Sequence, residues 1–156
     1  MNTAIINSDS YEKHNTGDGH PEQPKRVIAI KEKLKKRNDL IWETPVDVPN
    51  DILAMTHSKE YIENLNNSFP QKGLKFLDGD TVVSPESKKA VFDAAGSTIK
   101  AIDGIENNQF KNAFCLARPP GHHAEKNKAM GFCCISNAGV ATNYLINKYK
   151  LSLIHI

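Results

Sequence analysis

The sequence predicts an α/β fold built on a parallel sheet, and three observations support this fold class. Short apolar runs without helical periodicity occur at residues 3–6, 113–117 and 151–156, and such runs are typical of buried strands. Longer amphipathic stretches lie between them, the longest over residues 84–106. The order strand, helices, strand, helix, strand favours parallel strands joined by helical crossovers.

The first run is followed by a predicted loop and then by a helix. Glycines and prolines interrupt every periodic pattern up to Pro24, which predicts irregular structure. From Pro24 to about Asn38, apolar residues return at helical spacing, and lysines cluster near the end. Basic residues in the last turns complement the negative end of a helix dipole. We interpret the lysines as a solvated helix face rather than as a binding site for an acidic partner.

The middle of the chain predicts an extended connection, two short helices and a loop. Two prolines keep residues 42–50 from forming regular structure. Asn50 or Asp51 could cap a short helix. Ser58 predicts the start of another, because apolar residues then repeat at intervals of three and four. Residues 66–80 lack such periodicity and predict a surface loop.

The second half predicts the main scaffold. Pro85 suits the first position of the long helix over 84–106, whose apolar face continues to its end. Alanines and Gly96 on this face would let the helix pack closely on a sheet. Another helix is predicted over 137–148, and the run 151–156 predicts a strand that reaches the terminus.

Composition describes one domain, or part of one, without a signature of nucleic-acid or membrane binding. The chain has 156 residues, 39% apolar and 24% charged, and its net charge of +2 is too small to predict either partner. Cys115, Cys133 and Cys134 follow neither zinc-finger nor secreted disulfide spacing, which favours a reducing compartment. Since no signal peptide and no apolar run of roughly 20 residues occur, we expect a cytoplasmic protein.

The segment with the most specific chemistry is Arg118-Pro119-Pro120-Gly121-His122-His123-Ala124-Glu125. It follows the predicted strand at 113–117, and its prolines and glycine end regular structure. The histidines therefore lie on a rigid loop at the carboxyl end of a strand, where open α/β sheets bind ligands. Because imidazole titrates near neutral pH, His122 and His123 could serve as base and acid. A His-His pair alone is more often structural, but Gly131-Phe132-Cys133 would place an apolar wall beside this one.

Several separated motifs together resemble the histone deacetylase superfamily, on its class II-like and bacterial branch, which includes acetylpolyamine amidohydrolases. The histidine loop is the first motif, with the Gly-Phe-Cys sequence and Asn137 after it. Segments 14–26, 56–62 and 78–87 resemble further parts of the family pattern in the same order. The similarity runs from about residue 5 to 150, but it does not cover the whole family domain.

The resemblance implies zinc-dependent hydrolysis of acetyl amides on a parallel-sheet arginase/deacetylase-like fold. It assigns His122 and His123 as the general base and general acid that flank the attacking water. It places Gly131 and Phe132 along a narrow channel for an acetyl-lysine-like arm. Asp80 would hold the backbone of the acetylated substrate at the channel mouth, with Asp78 as a competing candidate two residues away.

The resemblance also implies that the zinc ligands lie outside this chain. The family supplies two aspartates, a histidine and a catalytic tyrosine from further along, beginning at the end of the strand after the 137–148 helix. Here that strand offers only His155, which we interpret as strand filler, so we predict no metal ligand in this chain. We expect residues 1–156 to be the N-terminal part of a single deacetylase-like domain, incomplete at the C-terminus and inactive alone.

The remaining histidines and the substrate leave some alternatives open. His14 and His20 lie in the loop that the resemblance places at the rim of the site, and we expect both to make supporting contacts. His57 is expected to cap or pack. The substrate could be an acetylated protein lysine or, as in an acetylpolyamine amidohydrolase, an acetylated small amine. A non-catalytic module that binds a ligand or partner without turnover is the other class of function.

Overall fold

A computed structural model describes residues 2–152 and confirms the α/β fold with its parallel sheet. In chain order the elements are β1 (Thr3–Ile6), α1 (Ser10–Lys13), α2 (Pro24–Leu34), β2 (Leu40–Glu43), α3 (Asn50–Leu53), α4 (Lys59–Asn66), β3 (Lys75–Phe76), β4 (Val82–Val83), α5 (Ser87–Glu106), β5 (Asn112–Cys115) and α6 (Asn137–Tyr149). Within the described part of the chain, no helix is long and apolar enough to cross a membrane.

The main sheet has the strand order β2-β1-β5, and both pairings are parallel. Ile6 at the end of β1 stands opposite Glu43 on one side and Cys115 on the other, so all three carboxyl ends meet at one edge. The chain leaves β5 at this edge and enters the histidine loop. The expected position of that loop, after a strand and at the ligand-binding edge of the sheet, is confirmed.

Helix α5 packs against two apolar clusters. Toward α6 and α4 it contributes Val91, Ala95 and Ile99, and toward β1 it contributes the small residues Ala90 and Ala94. The predicted close packing on the sheet is thus confirmed for the alanines, since small side chains let helix and strand approach.

Gly96 has a different neighbour from the one expected. A Cβ atom there would lie 2.0 Å from the carbonyl oxygen of Val46, so this glycine admits the connection after β2 rather than the sheet. Close approach of a second backbone is one of the few reasons for a glycine inside a helix.

The structure corrects the sequence interpretation at two places before the long helix. The helix predicted to run to about Asn38 ends at Leu34, and Leu40–Glu43, which reaches into the predicted irregular connection, pairs with β1 as a strand. The predicted surface loop at 66–80 contains β3, which pairs with β4 in a small antiparallel hairpin. Two-residue strands carry too little pattern to be predicted, and tertiary pairing overrides a weak helical period.

The ends of the scaffold elements agree with prediction in part. Helix α5 begins at Ser87, because Ser84 and Pro85 lie in a turn in which the Ser87 amide donates to the Ser84 carbonyl. Helix α6 ends near the predicted residue 148, and Ser58 caps α4 as predicted, accepting the amide of Tyr61. Most of the predicted final strand, including His155, lies outside the described residues, and Leu151 and Ser152 are not in a strand.

Candidate active site

Arg118 fixes the start of the histidine loop to the N-terminal loop. Its Nε and Nη2 donate to the two carboxylate oxygens of Glu22 at 2.7 and 2.8 Å, and its Nη1 donates to the carbonyls of Tyr11 and His14 at 2.5 and 2.9 Å. Arg118 is 2% exposed and Glu22 1%. A buried guanidinium needs a paired carboxylate and filled donor positions, and this arrangement supplies both.

Two of the other histidines have structural roles, as expected. The His14 ring lies 2.6 Å from the Ser87 hydroxyl, and burial, followed by the charge of Arg118, lowers its pKa to about 3. This histidine therefore stays neutral next to the Arg118–Glu22 pair. The His57 Nε2 accepts the amide of Ser136 at 2.9 Å inside the core, which confirms a packing role.

The structure brings His122 and His123 side by side on the exposed face of the loop. Their ring centroids are 4.1 Å apart, with an interplanar angle of 54°. Both side chains are exposed. The backbone amides of both residues donate to the Sγ of Cys133, each at 3.4 Å. Two imidazoles this close can act on the same small group, which is the arrangement that paired base and acid require.

A tight turn contains Gly131 and Phe132 and places Gly131 against His123. Both turn residues have positive φ, +57° and +67°, and the Cys133 amide donates to the Met130 carbonyl at 2.9 Å. Positive φ at both central residues is typical of a type I′ turn. The Phe132 amide donates to the Thr81 hydroxyl at 3.1 Å, which holds this aromatic residue in a backbone conformation that it rarely adopts.

Replacing Gly131 with alanine is expected to displace the His123 ring. A Cβ at this position would lie 2.9 Å from the Cβ, Cγ and Cδ2 atoms of His123, which is closer than real contacts allow. The left-handed backbone adds a further cost of about 1 kcal/mol for any residue other than glycine. Chemical denaturation should show the lost stability, and the His123 ring signals in an NMR spectrum should shift.

Gly73→Ala is the matched control for the Gly131 change. Its φ is also positive, +71°, but no atom lies within 4 Å of the added Cβ. It should therefore cost only the backbone strain and leave the His123 signals in place. Equal effects of the two substitutions would contradict the contact between Gly131 and His123.

The two candidate aspartates at the rim have different surroundings. Asp78 uses Oδ1 to accept the backbone amides of Asp80 and Thr81 at 3.0 and 2.7 Å, so its carboxylate closes the β3–β4 turn. Asp80 is exposed. Both aspartates line a depression of about 450 Å³, together with Gly79, His123, Met130 and Gly131. The exposed carboxylate of Asp80, which accepts the Thr81 hydroxyl at 3.5 Å, thus lies at the depression beside His123.

The family model for the histone deacetylase domain matches residues 20–156. This chain belongs to the histone deacetylase family. The match covers Glu22, Asp80 and the whole histidine loop.

Individual relatives agree with this family assignment. The chain is 39% identical over 154 residues to an uncharacterized protein of Synechocystis, covering 93% of this chain and 49% of that protein. It is 31% identical over 158 residues to histone deacetylase 5 of Arabidopsis thaliana, covering 92% of this chain and 24% of that protein. The crystal structure of the HDA15 HD domain has a TM-score of 0.83 and 30% identity, covering 90% of this chain and 41% of that one. The chain spans about half, or less, of the length of these relatives.

The described residues of this chain do not form a metal centre. Among residues 2–152, no group of three or more His, Cys, Asp or Glu could hold a metal ion. The residues of this part of the chain therefore do not fit a zinc site.

Sequence reasoning missed the contacts that three residues make in the candidate site. Glu22 holds Arg118, Thr81 holds Phe132, and Cys133 accepts the amides of both catalytic candidates. Glu22 carried a usable signal, because a buried arginine needs an acidic partner and Glu22 lies in the loop expected at the rim. The roles of Thr81 and Cys133 depend on side-chain contacts with distant backbone, which no local pattern predicts.

His20 connects the Arg118 anchor to the rim. Its Nδ1 accepts the Glu22 amide at 3.1 Å, and Nε2, which then carries the proton, lies 3.2 Å from the Asp80 carbonyl oxygen. Its ring meets the Phe132 ring edge-on at a centroid distance of 4.8 Å. The supporting role expected for His20 is confirmed.

Proposed function

We propose that this chain supplies the proton-transfer and substrate-entrance part of a hydrolase that removes acetyl groups from amides. The observation that carries the proposal is the pair of exposed imidazoles, 4.1 Å apart, at the carboxyl edge of a parallel sheet. Family membership supports a deacetylase-type reaction. The whole protein's substrates belong to this proposal, because the chain spans only part of its relatives.

The proposed chemistry needs two proton transfers. Water adds its oxygen to the acetyl carbonyl carbon while one imidazole takes its proton. The C–N bond then breaks as the other imidazole gives a proton to the leaving nitrogen, which yields a free amine and acetic acid, and the acid loses its remaining proton to solvent to become acetate. A histidine pair suits both transfers, because imidazole accepts and donates protons near neutral pH.

The substrate arm would pass between the turn and the rim. Phe132 offers a flat apolar face for an aliphatic stem, and Gly131 leaves room beside His123. We assign Asp80 rather than Asp78 to the substrate backbone, since Asp78 is occupied with two amides of its own turn. An acetylated protein lysine is the substrate that this rim favours, with an acetylated small amine as the alternative.

We propose zinc as the cofactor of the complete enzyme, held by residues outside the described part of this chain. Membership of the histone deacetylase family supports this cofactor.

We also propose a cytoplasmic location. Three free cysteines, two of them buried, support a reducing compartment.

Zinc content and turnover together test the proposed function. The 156-residue chain alone is expected to bind no stoichiometric zinc and to release no acetate from an acetyl-lysine peptide. The chain joined to its downstream coding sequence should bind one zinc and turn over the peptide. Metal analysis after dialysis and a fluorogenic assay measure both. Turnover by the short chain would overturn the fragment assignment, and zinc without turnover in the long chain would favour a binding module.

Asp80→Ala should lower kcat/KM for an acetylated peptide more than kcat/KM for an acetylated small amine. The bonds lost go to peptide backbone, and hydrogen bonds to a charged group are worth roughly 1.5–3 kcal/mol each, or about 10- to 150-fold in kcat/KM. Asp78→Ala is the matched control. It should lower stability through its turn without changing the preference between the two substrates. Equal losses on both substrates for Asp80→Ala would mean that Asp80 does not hold peptide backbone.

A further inference from the structure

The Cys133 thiol makes three contacts at the centre of the site. Its sulfur accepts the amides of His122 and His123, both at 3.4 Å, and its S–H donates to the Gly131 carbonyl at 3.3 Å. The side chain is fully buried, at 0% exposure. We propose that Cys133 is a positioning residue that sets the orientation of both histidines. The effect of this orientation on catalysis rests on the proposed function.

The position of the sulfur is itself fixed by backbone structure. Cys133 exchanges two backbone hydrogen bonds with Met130, at 2.9 and 3.1 Å, across the turn that contains Gly131 and Phe132. Because the backbone of Cys133 is held at both its amide and its carbonyl, its side chain cannot drift away from the loop. The sulfur therefore joins the turn, which forms the wall of the site, to the segment that carries the imidazoles.

Two consecutive amides on one acceptor define the direction of the peptide plane between them. The plane joining His122 and His123 determines where each Cα–Cβ bond points, and hence how the two rings meet. Their amides take part in no helix or strand, so the sulfur is the group that satisfies them. A buried or half-buried amide left without an acceptor is costly, which gives this contact its orienting effect.

Sulfur suits this position better than oxygen. A thiol is a weak acceptor, but its longer bond to Cβ and its larger radius let one atom reach both amides while donating to a carbonyl. A serine oxygen would lie closer to its own backbone and therefore farther from the two histidine amides. N–H···O bonds need a shorter separation, roughly 2.7–3.2 Å. Cys133→Ser should therefore retain part of the orienting effect, and Cys133→Ala should lose all of it.

Cys134 provides a matched control in the neighbouring position. It is the same residue type with the same burial, at 1% exposure, but its side chain packs in the apolar cluster between α5 and α6. Cys134→Ala removes the same atom from an equally buried place. Any effect of losing a buried sulfur as such should appear in both alanine variants.

The first measurement is amide hydrogen exchange in 15N-histidine-labelled protein that includes the downstream sequence. Cys133→Ala should speed exchange at His122 and His123 about 3- to 10-fold, after correction for any change in global stability, as expected for losing one hydrogen bond each. Cys133→Ser should fall between this variant and the wild type. Unchanged exchange in Cys133→Ala, or an equal change in Cys134→Ala, would overturn the inference.

The second measurement separates positioning from packing through kinetics. Cys133→Ala should lower kcat about tenfold with KM within about twofold, because misaligned histidines impair proton transfer without weakening substrate binding. Cys134→Ala should leave both kcat and KM unchanged. A kcat equal to that of the wild type in Cys133→Ala would overturn the catalytic part of the inference. If the wild-type protein itself shows no turnover, the proposed function fails, and the exchange comparison alone decides whether Cys133 orients the loop.

Discussion

Replacing Glu22 with alanine is expected to destabilise the protein by about 3–5 kcal/mol, the cost of leaving one partner of a buried ion pair without the other. Arg118 would remain buried with its charge unpaired, since both carboxylate oxygens that it contacts belong to Glu22. The remaining contacts to Tyr11 and His14 are to carbonyl oxygens, which do not neutralise the charge. Urea unfolding followed by circular dichroism measures the loss.

Arg26→Ala is the control for this prediction. Arg26 also approaches the Glu22 carboxylate, at 3.6 Å, but it is 62% exposed, and removing such a partner should cost less than about 1 kcal/mol. A double variant, Glu22→Leu with Arg118→Met, should recover much of the lost stability, because a well-packed apolar pair can replace a buried ion pair. If Glu22→Ala and Arg26→Ala cost the same, the buried pair does not hold the loop as described.

Features that depend on neighbouring residues could be predicted from the sequence, whereas contacts between residues far apart in the chain could not. The location of the histidine loop could be predicted, because two prolines and a glycine act on their own neighbours. For the anchor of that loop, the sequence makes Glu22 a candidate partner of Arg118, but Glu22 lies 96 positions earlier and the contact itself depends on the fold. Motif resemblance identified both segments as parts of the site, yet it gave no contact between them.

The turn role of Asp78 could have been predicted from local chemistry. An aspartate commonly accepts the amides two and three residues after it, which closes a turn. Asp78 precedes Asp80 and Thr81 at those distances, and it makes both bonds. The strand β2 is the opposite situation, because its pairing with β1 depends on a distant partner that its own four residues do not identify.

Replacing either His122 or His123 with alanine should lower kcat by about 10²–10⁴-fold in the protein that includes the downstream sequence, with little change in KM. The prediction follows from the exposed pair at 4.1 Å, whose rings can serve one water and one leaving amine. We expect His123 to be the costlier loss, because its ring contacts Gly131 and lines the depression beside Asp80. The double variant should lose less than the product of the single losses, since the two residues act as a unit.

Zinc content distinguishes proton transfer from metal binding in these variants. Neither histidine belongs to a metal-ligating group among residues 2–152, so zinc per chain should equal that of the wild type in both single variants. The measurement is therefore paired, with kcat followed against pH and metal determined on the same preparation. If activity falls only in proportion to zinc, the histidines hold the metal and the proton-transfer assignment is wrong.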